Sequence, residues 1–437
     1  MGKTDDQHEK NCPLAGVDRR LEDAHQLWHR AEAEYFDPEN FRMFAQNTIQ
    51  TLRTVTWRLQ NHKAIFADFD AWYGPWQERM RADQLMRWLH DARTKIEHQG
   101  DLEIHSFVRA EILASYLSSE VPRMEVRAEL FATPMELLKG IPKDALEKHV
   151  LKNGTLRIQR RWVENNLPDH ELLDALAIAY GKTKEIVHDA HRHLGLPEPM
   201  TVDGRTGEKF DAPALGWRMP CMIAHEARRE LLISLTNGSR LSLVPQALNL
   251  TEQDRKELAQ KTDLNLYSAM KEKYDSLDTL SEAYFGMIRQ VFNRDGYHVP
   301  MMFFFRGTEL VKFFGYEIED RAQKYVINRS LAQEALRYGA DAVLMVNEVW
   351  TSLMNEVGPY EFAVDAPNRQ EALTMVLVRK EGDIIHYQAI IRRENDKPAL
   401  GETNVARNGA TYIAAPFYEA WGRPIPAEWI AKKPPSR

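Results

Sequence analysis

The sequence predicts an α+β multidomain chain, in which an N-terminal antiparallel four-helix bundle is followed by mixed helix and antiparallel-sheet regions. Three observations carry that expectation. Apolar residues recur at three- and four-residue spacing through roughly the first hundred positions, the period of a helix face. Beyond Pro122 the spacing falls to two, with Val126, Ala128 and Leu130 alternating with Glu125, Arg127 and Glu129. At 437 residues the chain also exceeds what one ordinary core fills. Three domains are expected, at 1–121, 122–262 and 263–437.

Within the bundle, Leu21, Ala24, Trp28 and Ala31 form the inner stripe of a helix from Val17 to Tyr35. A second helix spans Phe41 to Leu59, with Phe41, Ala45, Thr48, Leu52, Val55 and Leu59 on one face. An aromatic connector, 66–76, follows, where Gly74-Pro75 breaks the backbone and the rings supply buried area. The third helix runs from Arg81 to His98 and ends before Gly100. A fourth is expected from Leu102 to Leu117, burying Ile104, Phe107, Val108 and Ile112, with Pro122 closing the domain.

Downstream, Leu156, Ile158 and Trp162 mark a strand, and a long helix covers Asp169 to Leu194. Thr236-Asn237-Gly238-Ser239 joins Leu231–Leu235 to Leu241 and Leu243 as a hairpin, because Asn-Gly suits the tight turn between twisted strands. A helix from Leu277 to Phe292 stops near Gly296 and leads into a buried strand, 301–305. A helix from Arg329 to Tyr338 and strands at 342–349, 373–378 and 384–392 complete a meander, with a frayed tail around Lys432-Lys433-Pro434-Pro435.

Composition narrows the function. A net charge of -7 argues against a broad face for duplex nucleic acid. Cys12 and Cys221 lie in different segments without CxxC spacing, which leaves no disulfide framework or local zinc motif and fits a reducing cytoplasm. The charged N-terminus is unlike a signal peptide, and no run approaches the ~20 apolar residues of a membrane span. Phosphate-binding Gly-rich loops, a dinucleotide fingerprint and a Gly-x-Ser-x-Gly elbow do not occur, so no cofactor is expected. The basic clusters at 157–161 and Arg228-Arg229 read as solvated strand faces. His188, His191 and His193 precede Gly195, where cations offset the helix dipole, so they are not assigned to a metal. His225-Glu226 lacks a zincin's second His, and Glu348, Trp350 and His386 are read as sheet residues.

One pair can carry chemistry. Arg93 and His98 close the third helix in Arg93-Thr94-Lys95-Ile96-Glu97-His98, before Gly100-Asp101-Leu102. A histidine shuttles protons near neutral pH, and a guanidinium binds a phosphate and its transition-state charge. Five residues are about 140 degrees of helix rotation, so convergence requires an unwound end or a second chain. Arg, four residues, His, then Gly-Asp-Leu after three helices resembles the HEPN family, many of whose members are metal-independent ribonucleases that act as dimers. The resemblance covers residues 1–121 and implies Arg93 on the phosphate, His98 as acid or base, RNA as substrate and a homodimer; Thr94 departs from the Asn, Asp or His common there. The C-terminal regions would then bind a partner or sense a signal. The alternative is a dimeric, non-enzymatic scaffold in which Arg93 pairs with Glu97 and His98 offsets the dipole. The Arg and His spacing recurs at Arg20 and His25.

Overall fold

The computed structural model describes residues 12–98, 100–117, 131–197, 201–202, 209–210, 217–223, 229–241, 272–318, 322–352, 363–394, 397–408 and 412–429. The expected strand at 126–130, Pro122, Leu243, the His225-Glu226 pair, Arg228 and the C-terminal tail lie outside them. The architecture is α+β with antiparallel sheets, as expected. The chain forms two compact units, residues Met1–Glu111, Glu125–Ile141 and Arg157–Leu231 in one, Ile112–Met124, Pro142–Leu156 and Leu232–Arg437 in the other. No helix among the described residues is long and apolar enough to cross a membrane.

The first unit opens with α1 (Ala15–Ala33) and α2 (Pro38–Asn61), the latter capped by Asp37, whose carboxylate accepts from the Asn40 N–H at 3.1 Å. The aromatic connector is largely helical, a correction: α3 (Phe69–Ala82) contains Pro75. A helix-interior proline forfeits one backbone bond, but Trp72 and Trp76 both donate to Asp189 Oδ2, at 2.9 and 2.8 Å, and hold the helix in place. α4 (Gln84–His98) follows.

The expected fourth helix is instead a strand, β1 (Ile104–Leu113), so the bundle built on 102–117 does not form. Ile104, Ser106, Ala110 and Ile112 are buried while Phe107 is 63% exposed, which is period two rather than a helical stripe. The helix that packs on α1, α2 and α4 comes from later in the chain, α7 (Leu172–His193). Two short helices, α5 (Pro134–Lys139) and α6 (Lys148–Asn153), and β2 (Thr155–Glu164) precede it. Trp28 donates to the Leu173 carbonyl at 2.8 Å, and Trp162 stacks on Phe41 at 4.6 Å while donating to the Tyr35 carbonyl. These rings bring elements distant in sequence into one core. A two-stranded ribbon, β3 (Thr201–Val202) and β4 (Lys209–Phe210), and the single turn α8 (Pro220–Ile223) follow α7. Then come β5 (Glu230–Ser234) and β6 (Arg240–Leu241), the expected hairpin, with Leu232 opposite Leu241 and Gly238 at φ 73 in its turn. The strand order of this sheet is β1-β2-β5-β6.

The second unit is organised by a six-stranded antiparallel sheet, ordered β12-β11-β10-β9-β7-β8. Besides α6 and β6, its elements are α9 (Leu277–Asp295), β7 (Met301–Arg306), β8 (Glu309–Gly315), α10 (Gln323–Arg337), β9 (Ala342–Thr351), β10 (Gln370–Arg379), β11 (Ile385–Glu394), β12 (Lys397–Arg407) and α11 (Ala415–Trp421). α10 begins six residues before the expected start, and β8 and β12 are additions to the expected meander. Phe303 and Phe305 face α9, whereas Met302 and Phe304 face α10 and α11, which is why 301–305 reads as a continuous apolar run. Gly296, at φ 79, closes α9 in the left-handed region open to glycine.

Candidate metal centre

Arg93 lies on the exposed side of α4 and pairs with Glu97 at 2.7 Å, their side chains 41% and 34% exposed. His98, the last residue of that helix, is exposed as well. Arg93 thus makes the ion pair with Glu97 that the scaffold alternative expects. Of the C-terminal candidates, Glu348 accepts from the His298 backbone and Trp350 lies under Arg369 at 5.0 Å, while burial pushes the His386 imidazole down. His193 binds Asp68 at 2.7 Å and stacks on Trp72, whereas His191 turns to Asp18 at 3.0 Å, so the histidines at the end of α7 point to different partners.

The residues the fold does bring together are on α1. Asp18, Glu22, His25, His29 and Glu32 recur at spacings of four, three, four and three, which aligns them on one face of the helix. That face turns toward α7, where His25 stacks on Tyr180 at 5.4 Å and Asp18 meets His191. Next to it sits Cys221, on α8. The close approach of its segment to α7 depends on Gly181: a Cβ there would lie 1.6 Å from the Trp217 carbonyl oxygen. Trp217 itself has φ 66, a backbone that turns the chain into Pro220 and Cys221.

His25 Nε2 is 3.2 Å from Cys221 Sγ and 3.2 Å from His29 Nε2. His25, His29 and Cys221 each aim one ligand atom at a shared point, all within 4.8 Å of one another. One ring proton on His25 cannot serve both neighbours, whereas a cation at the shared point satisfies all three lone pairs. Bonds of 2.0–2.3 Å to zinc imply ligand separations of about 3.3–3.6 Å across a tetrahedron, close to those observed. The far sides of the rings are oriented as metal-bound imidazoles usually are. His29 Nδ1 meets Glu32 Oε2 at 3.2 Å, and His25 Nδ1 faces Glu22 Oε1 at 3.7 Å.

Electrostatics favour the deprotonated thiol. Burial pushes Cys221 up, but hydrogen bonds from His25 and His29 outweigh it and bring the thiol down to about 7. Burial likewise works against the His25 cation, yet its Cys221 and Glu22 partners raise it to about 9. Lys184, with Nζ 3.6 Å from Met219 Sδ, is lowered to about 8 by burial. Cys221 is 3% exposed and His25 6%, whereas the His29 side chain is 26% exposed, so the cluster meets solvent on its His29 side. A second convergence, Cys12, Asp18 and His191, lies further back on α1.

Sequence reading missed this centre because its ligands are 196 residues apart. The available signal was polar: two histidines and three carboxylates on one helix stripe where a bundle helix would bury only apolar side chains.

The family model of bacteriophage lambda protein ea47 matches residues 6–435. Protein ea47 of Escherichia phage lambda is 28% identical over 338 residues, covering 76% of this chain and 78% of that protein. No solved structure matches. A match of this extent runs through both compact units, and the chain belongs to the bacteriophage lambda ea47 family.

Proposed function

We propose that this chain is a transition-metal protein that holds one zinc-type divalent ion on His25, His29 and Cys221 and leaves the fourth position to water. The observation that carries this reading is the convergence of two imidazole nitrogens and one sulfur, with His25 Nε2 3.2 Å from both other atoms, all three within 4.8 Å of one another, and carboxylates behind both rings. Thiolate and imidazole select zinc over magnesium or calcium, which take oxygen ligands. Three protein ligands with an open position characterise zinc sites that act on a water, so hydrolysis is the chemistry the centre supplies.

The test is metal analysis of the purified chain after dialysis, followed by cobalt substitution. One zinc per chain lost in both His29→Ala and Cys221→Ser, with a thiolate-to-cobalt charge-transfer band absent from Cys221→Ser, is expected. Equal metal content in wild type and both variants rejects the centre.

A further inference from the structure

We infer that the outer face of β1 and β2 is a docking surface for single-stranded nucleic acid, independent of the metal centre. Glu111 pairs with Arg157 at 2.8 Å, and the Asn165 N–H donates to the Glu103 carbonyl at 3.2 Å; these contacts fix the two strands antiparallel. In that register Phe107 lies beside Arg161 and Arg109 beside Gln159, on the face opposite Ile104, Ile158 and Trp162. Together with Arg229 and Glu230, these side chains border an open groove of about 380 Å³.

An aromatic ring 63% exposed in the middle of a strand costs solvation and calls for a flat apolar partner. The flanking charges identify that partner. Glu111 and Glu230 both bind Arg157, and Arg109 reaches Glu111 at 3.4 Å with its side chain 57% exposed. Arg161 donates only to the Asp169 carbonyl, at 3.5 Å, and among the described residues no carboxylate pairs with it. The face therefore presents an aromatic platform with uncompensated guanidinium charge beside it. That pairing suits an unpaired base stacked on Phe107 and a phosphate on Arg161, and it needs no sequence-specific edge contacts. Duplex is a poor fit, because the net charge of -7 repels a long polyanion outside this patch. An acidic peptide would satisfy the arginines and leave Phe107 unused.

The experiment is fluorescence anisotropy of the full chain with labelled oligouridylate and oligothymidylate of about twelve nucleotides, a length within the usual single-strand site sizes. Duplex of the same length and polyglutamate serve as competitors. Single strands should bind, with Phe107→Ala weakening them about tenfold or more through lost stacking. Arg161→Ala should lower the log–log salt slope by about 0.7, the loss of one phosphate contact. The two oligomers separate RNA from DNA as the source. Both side chains point outward, so each variant should retain the wild-type melting temperature, which is measured alongside. Binding unchanged in the Phe107→Ala, Arg161→Ala double variant, or displacement by polyglutamate as effective as by oligonucleotide, overturns the assignment.

Discussion

Glu32 illustrates how much of the centre depends on groups that would not touch the ion. It is buried at 4% exposure, and its carboxylate reaches His29 Nδ1 at 3.2 Å. A carboxylate in that place fixes the ring's tautomer and leaves Nε2 with a lone pair facing Cys221 and His25. Glu32→Gln keeps the size and loses the charge. It should weaken zinc binding about 10–100-fold, the usual cost of removing such a partner, while the stoichiometry at saturating metal stays at that of the wild type. Competition against a chromophoric chelator measures both quantities. An unchanged affinity would mean that Glu32 serves packing alone.

At the scale of elements, local pattern made α1, α2, α4, α7, the β5–β6 hairpin and α9 legible, because each shows a clear apolar period, joined in α2, α7 and α9 by a cap and in the hairpin by Gly238. Two readings failed for different reasons. Ile104, Phe107, Val108 and Ile112 satisfy a helical stripe, but Ile104, Ser106, Ala110 and Ile112 satisfy alternation as well, and one sequence fits both periods. The partner strand β2 decides between them, and it lies some fifty residues away. Gly74-Pro75 signals a break, yet two tryptophan hydrogen bonds to Asp189 hold the helix through it. The metal centre was illegible for a related reason: its helix face could be read, whereas the arrival of Cys221 depends on how α8 meets α7. Gly181 is the hinge of that meeting. Gly181→Ala places a methyl against the Trp217 carbonyl, and overpacking of this kind should cost about 1–3 kcal/mol in unfolding free energy. Because the strain displaces the Cys221 segment, the cobalt form should lose its thiolate charge-transfer intensity before it loses helix content. Denaturant unfolding and the cobalt spectrum check the two effects separately.

For the whole molecule, the decisive feature is that neither unit is a continuous stretch of chain. The unit built on α1 to α4 also takes Arg157–Leu231, and with it α7 and Cys221. Residues 1–121 contain His25 and His29 but neither the sulfur ligand nor α7, whose Leu173 carbonyl accepts from the buried Trp28 indole. Without α7 the faces of α1, α2 and α4 that pack on it lose their partner, and most helical stability in proteins comes from such tertiary packing. A fragment of residues 1–121 should accordingly melt without a cooperative transition and bind zinc at least about tenfold more weakly than the full chain, as expected when one ligand and the ordering of the other two are lost. Circular dichroism melting and zinc titration of the two proteins side by side give the answer. A cooperatively folded fragment would instead make α1 to α4 an independent domain, with α7 added to its surface rather than completing its core.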